Sequence, residues 1–190
     1  MQSLLDIIGA TIIGGLLLVT MFTALTTIQD NNMILKGEMQ IIRDLEFISN
    51  LIENQYMDKI GYELPGGIEA FPMADINEVN FHTKIDDGDN TVYLVKIFTG
   101  IEDVDYGYPF WVEVTGGTNV GVIWLAEPIE FIYFDVNGNV ITNEELQTVG
   151  GRARIRSIQT ELSVFHGEYN MDSMRARTLE FRKYFPNLGI

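Results

Sequence analysis

Between Asp6 and Asp30 lie 23 residues, Ile7 to Gln29, without a single charge. At about 1.5 Å per residue a helix of that length reaches roughly 35 Å, enough to cross a hydrocarbon core of about 30 Å. Leu16, Leu17, Leu18 and Val19 form its most lipid-compatible patch. Gly9, Gly14 and Gly15, with Thr11, Thr20, Thr23, Thr26 and Thr27, supply small or hydroxylated positions. Such residues let apolar helices approach one another closely, and Thr can satisfy its hydroxyl against its own backbone. Gly14-Gly15 is the weakest helical point, each Gly costing about 1 kcal/mol against Ala. This much small-residue surface exceeds what a lone lipid-facing anchor needs and suits repeated helix–helix contact.

From Asp30 the pattern changes to Ile34, Leu35, Ile41, Ile42, Leu45, Ile48, Leu51, Ile52 and Tyr56. Steps of three and four predict one apolar stripe along a continuing helix, broken by Phe47, that must bury itself on the rest of the chain. Gly61 is placed to end the helix in a left-handed cap near Asp58 to Gly61. After turns at Leu64 to Gly67 and Phe71-Pro72, the chain reads as short strands. The candidates are Glu78 to Thr83, Thr91 to Phe98, Phe110 to Thr115, Val120 to Ala126 and Ile129 to Asp135. Asp86 to Asn90, Gly107 to Pro109 and Gly116-Gly117 separate them. Asp135 to Asn139 holds an Asn-Gly pair between apolar runs, a hairpin signal. Asn143 to Val149 suits a helical turn, and two longer strands close the chain, Ile155 to Phe165 and Arg177 to Phe185. In the first of these, Ile158, Thr160, Leu162 and Val164 alternate with polar residues. The fold class is therefore α+β: a long N-terminal helix, apolar then amphipathic, packed on an antiparallel β-sheet head. The expected division is residues 1–57 for the helix (1–29 apolar, 30–57 amphipathic) and 58–190 for the head.

Composition narrows the function more than the fold. The chain has no cysteine, which excludes disulfides and Cys-based metal or redox sites. The net charge of −15 is unevenly spread, with seven of the 12 basic residues after Gly151. An acidic surface argues against nucleic acid, which needs a cationic face. The basic C-terminal stretch can answer the acidic remainder within one molecule or between copies, or simply pair across strands of one sheet. No basic n-region or small-residue cleavage site flanks the apolar run, so the run is expected to be retained.

Chemical motifs are sparse. His82 and His166 are the only histidines and lack ligand spacing, so each reads as a surface or strand-edge residue. Phosphate-binding and nucleophile-elbow signatures are missing. Asp135, Asn137 and Asn139 sit at the first alternating positions of an EF-hand loop, but the required Gly and the closing Glu are not in place. Asp86, Asp87 and Asp89 are weak candidates for a cation, read more simply as solvated turn acids. The sequence predicts no catalytic residue, no enzyme activity and no cofactor.

The opening, Gln2 to Asp6 followed by Ile7-Ile8-Gly9-Ala10-Thr11-Ile12-Ile13-Gly14, resembles the type IV pilin and type II secretion pseudopilin superfamily. The helix exit, Met57 to Tyr62, is similar to J-type pseudopilins, as are Ile129 to Val140, Ile155 to Val164 and the closing Arg177 to Gly189. The resemblance implies a filament subunit whose apolar helix lies in the inner membrane before assembly and in the filament core afterwards. Asp6 matches the family's acid, thought to pair with the N-terminal amine of a neighbour, here at Met1. The family acid is usually Glu and fifth in the mature chain. The family's usual helix-breaking Pro is missing, with Phe22 in that region, so local unwinding would rest on Gly14-Gly15. The assembly residues so implied are Met1, Asp6, Gly9, Gly14, Gly15, Leu17 and Phe22. The expected partners are copies of the chain in a helical polymer, the inner membrane and the pilus or secretion assembly machinery. The main expectation is a structural pilin of an extracellular, cell-surface filament. The alternatives are a minor tip pseudopilin and a single-pass anchored binding module.

Overall fold

The computed structural model describes residues 2–61, 64–84, 91–115, 120–167, 169, 174–186 and 188. Met1, the Asp86, Asp87 and Asp89 loop, the Gly116-Gly117 turn and Asn187 lie outside the described residues. The chain divides into two compact units, Met1–Gln40 and Ile41–Ile190.

Helix α1 runs from Gln2 to Asn50 and continues without interruption through Gly14-Gly15. It passes into a π turn at Leu51–Tyr56 and a 3₁₀ turn at Met57–Lys59. The wide turn has a packing consequence. A π turn adds residues per revolution, and Leu51, Ile52, Tyr56, Met57 and Ile60 are all buried. Gly61 then takes φ +76°, and a Cβ there would strike the Leu188 side chain; the helix itself stops one residue earlier, where Ile60 is extended, so the glycine is left-handed in the turn that follows and does not cap the helix as expected.

The stripe is narrower than its spacing predicts. Ile41, Leu45, Ile48, Leu51, Ile52 and Tyr56 are buried, whereas Leu35 and Ile42 are exposed. Ile42 follows Ile41 by about 100° around an α-helix, too far to share a contact face that Ile41 centres. Each buried Ile or Leu contributes roughly 2 kcal/mol, so this short length of helix is a main component of the core.

The remaining elements are β1 (Met73–Ala74), β2 (Glu78–Thr83), β3 (Tyr93–Thr99), β4 (Tyr108–Val114), β5 (Val120–Leu125), β6 (Glu130–Phe134), α2 (Asn143–Leu146), α3 (Val149–Ala153), β7 (Ser157–His166) and β8 (Arg175–Tyr184). Every expected strand is present, with boundaries shifted by a few residues, and the fold is α+β. The expected single helical turn is two short helices, and Gly150 and Gly151 lie in the second. All described strand pairs are antiparallel. The strand order is β1-β2-β3-β4-β5-β7-β6, with β8 on the other side of β7. β7 is the seam: β5 meets it at Leu125 to Val164, and β6 meets it from Glu130 to Phe134. The sheet curls until its ends meet, with the Phe131 N–H donating to the Ile76 carbonyl at 2.7 Å. One core results, joining the buried residues of α1 to Val79, Phe81, Val95, Ile97, Phe110, Leu125, Tyr133 and Leu162.

The Asn-Gly hairpin forms as expected. Asp135 and Asn139 bond across it, Gly138 takes φ +81°, and the Asp135 carboxylate accepts from the N–H groups of Asn137 and Asn139 at 2.8 and 2.9 Å. Those bonds, with Arg154 at 3.5 Å, commit the oxygens that a calcium reading would need. Among the described residues, three of the basic C-terminal side chains reach acids outside the strand ladders. Lys183 reaches Asp58 at 2.8 Å and Glu53 at 3.9 Å at the end of the N-terminal helix. Arg152 reaches Glu69 in a loop. Arg154 reaches Glu145, the residue that closes the α2 cap. Long cationic side chains find the acids that tertiary folding brings near, and sequence order does not list them.

Candidate assembly helix

From Ile7 to Gln29 α1 is a charge-free rod. Every large apolar side chain described from Leu4 to Ile28 is exposed, Leu17 at 65% and Phe22 at 66%. An added Cβ at Gly9, Gly14 or Gly15 would meet nothing within 4 Å. The helix is long and apolar enough to cross a membrane, and none of its most apolar window is buried. Eleven Ile, Leu, Val and Phe side chains lie between Ile7 and Gln29. At about 0.5 kcal/mol each they favour a bilayer by roughly 5 kcal/mol.

The threonine hydroxyls of the segment are already satisfied. Thr11 donates to the Ile7 carbonyl at 2.7 Å, Thr20 to Leu17 at 2.8 Å, Thr23 to Val19 at 2.9 Å and Thr27 to Thr23 at 2.9 Å. Thr26 divides its hydroxyl between Phe22 and Thr23. Back-bonding of this kind removes the desolvation cost that a free hydroxyl would carry into lipid or a protein core. The intrahelical use expected of these threonines is thus what the structure contains.

Thr20, Thr23, Ala24 and Thr27, flanked by Val19 and Ile28, form a shallow trough, open nearly to flatness, along one side of the helix. Sequence inspection singled out its threonines, but not the trough. The signal is the spacing of 20, 23, 24 and 27, which puts small side chains on adjoining turns of one face. Asp6 lies in the same helix, exposed, one residue before the apolar run. A carboxylate at the end of a bilayer-spanning helix can reach water, whereas burial at its centre would cost about 3 kcal/mol. Met1 and the acids at 86, 87 and 89 lie outside the described residues, so no geometry attaches to them.

No protein-family model, no curated protein and no solved structure matches the chain.

The Ile41–Ile190 unit carries its own surface features. Asp103 accepts from the N–H groups of Asp105 and Tyr106 and so fixes a turn that presents Tyr106. Its ring lies 5.3 Å from Trp124, beside a cleft of about 530 Å³ that Asp44, Asp105 and His166 also line. Below it the Glu102 carboxylate accepts from the Tyr169 hydroxyl at 2.8 Å and from Tyr108 at 3.1 Å. Burial and the adjacent Glu102 raise the Tyr108 pKa. His82, on β2, donates from Nδ1 to the Glu69 carbonyl at 2.7 Å. Among the described residues no three His, Asp or Glu side chains gather as a cation site.

Proposed function

We propose that this chain is a pilin-like structural subunit that polymerises through its N-terminal helix into a cell-surface filament. The observation that carries the reading is the exposed, charge-free segment of α1, whose hydroxyls are bonded internally and whose small residues make a trough. Such a surface is compatible with lipid and with close packing of like helices, the two environments a membrane-stored filament subunit meets in turn. On this reading the chain waits in the inner membrane and moves into a helical bundle. Asp6 then leaves the interface for a core, where a carboxylate needs a cationic partner such as a neighbour's α-amine.

Electron microscopy of the cell surface, with and without Asp6→Ala, tests the proposal. Filaments containing this chain are expected in the parent and are lost in Asp6→Ala, while the variant still fractionates with the membrane. A parent protein that never leaves the membrane favours a plain anchored module and overturns the reading, whereas a variant that assembles normally removes Asp6 from assembly. Copy number separates a main subunit, present along the filament, from a tip pseudopilin present once or a few times.

A further inference from the structure

The sheet has two very different edges. At one end β1 is two residues long, Pro72 precedes it, and an Ile60 to Thr83 bridge covers the far part of β2. At the other, β8 pairs with β7 over all ten of its residues and, among the described residues, no strand lies on its outer side.

The ladder specifies which groups that edge presents. The Phe185 N–H donates to the Arg156 carbonyl, and the β7–β8 register continues this pair without slip. In an antiparallel ladder, residues alternate between hydrogen-bonded and non-hydrogen-bonded pairs. Lys183, Phe181, Leu179, Arg177 and Arg175 therefore spend their backbone groups on β7. Tyr184, Arg182, Glu180, Thr178 and Ala176 turn theirs outward. Arg175 to Thr178 are exposed, so this end of the strand is open on its edge and on its faces. A long edge of this kind is a template for a further strand.

Charge decides the occupant. β8 carries four basic residues and one acidic in a chain of net charge −15. A second β8 fits badly: of the two registers of greatest antiparallel overlap that pair the outward groups, one sets Glu180 opposite Glu180 and Arg177 opposite Lys183 twice, and the other sets Arg175 opposite Lys183 twice, and like charges directly opposite destabilise a sheet. Arg182, stacked 3.6 Å from the Phe134 ring centre with its Nε donating to Ser157 at 3.0 Å, is held flat on the outer face. We propose that the outer edge of β8 receives an extended acidic segment of another polypeptide as an added antiparallel strand. Its carboxylates would lie opposite Arg175, Arg177 and Arg182, Lys183 being held by Asp58, and its apolar residues opposite Leu179 and Phe181. The surface belongs to the Ile41–Ile190 unit, and the inference does not rest on filament assembly.

The test uses the full chain in detergent and a synthetic strand peptide of valine and threonine with glutamates at those three positions. Its counterpart has arginines in place of the glutamates. Several cross-strand charge pairs acting together predict a preference of about tenfold for the acidic peptide. On binding, hydrogen exchange should slow at the outward amides of Ala176, Thr178, Glu180, Arg182 and Tyr184. The amides of Leu179, Phe181 and Lys183 are protected beforehand. Thr178→Pro removes an outward N–H while leaving the β7 ladder whole, and abolishes binding with those inward amides still protected. Arg175→Glu with Arg177→Glu moves the preference towards the arginine peptide. Equal binding of the two peptides, unchanged binding by Thr178→Pro, or outward amides already protected in the free protein would each overturn the proposal. So would protection that rises with protein concentration alone, which would assign the edge to a second copy.

Discussion

Thr160 is fully buried in the middle of β7, and its hydroxyl has no hydrogen-bond partner. An unsatisfied buried hydroxyl carries a desolvation cost of about 1–3 kcal/mol. Thr160→Val keeps the β-branched shape and is expected to stabilise the protein by about 1 kcal/mol, read as a higher denaturant midpoint. Two carboxylates show the opposite condition. The N–H of Asn139, the amide of the same residue, the N–H of Asn137 and the Arg154 guanidinium hold Asp135 below its ordinary pKa. The Thr142 N–H, and then Arg154, do the same for Glu145. Depressed carboxyls bind fewer protons in the folded state than in the unfolded one, so their stabilisation is complete above the ordinary carboxylate pKa of about 4 and is lost as pH falls below it. Asp135→Asn combined with Glu145→Gln is expected to flatten the acid limb of stability against pH. An unchanged limb would assign acid sensitivity to other groups.

Helix α3 joins residue chemistry to element packing through two adjacent glycines. Gly151 is buried, and a Cβ there would collide with the Glu145 carbonyl, a backbone atom that cannot rotate away. Gly150 faces open space. Gly151→Ala is therefore expected to destabilise by at least about 2 kcal/mol, whereas Gly150→Ala stabilises by up to about 1 kcal/mol through helix propensity. Thermal melts of the two variants should move in opposite directions. The neighbouring α2 is a four-residue helix closed by a reciprocal cap, the Glu145 N–H donating to the Thr142 hydroxyl and the Thr142 N–H donating to the Glu145 carboxylate. Its Thr-x-x-Glu pattern is legible in sequence. The π turn at Leu51–Tyr56 is not, because spacing of 48, 52 and 56 fits a plain α-helix equally well. Only the demand to bury Leu51 with Ile52 and Tyr56 with Met57 selects the wider turn.

For the whole molecule, the distinction that matters is between a helix that stays in lipid and one that enters a bundle of its copies. Asp6 separates these environments, since a lone carboxylate at a membrane interface is tolerated and an unpaired one in a core is not. Asp6→Glu keeps the charge and is expected to assemble where Asp6→Ala fails, measured as sheared filament per cell. Assembly of both variants alike would remove the carboxylate from the mechanism.

What the sequence determined alone was everything governed by period and charge. The long helix, the apolar run, the order of strands, the Asn-Gly hairpin and the left-handed Gly61 follow from local rules that need no distant partner. The back-bonded threonines of the apolar run also belong here, because donor and acceptor lie within one helical turn. Tertiary structure decided which of those periods were used. It left Leu35 and Ile42 outside a stripe that spacing would admit, and it converted the helix exit to a π turn. It sent Lys183 to Asp58, where cross-strand pairing within the sheet was the simpler expectation. It also made β8 an outer strand with its even-numbered backbone groups unclaimed, through its pairing with β7. Each outcome depends on contacts between residues far apart in the chain, where burial and pairing override the local pattern.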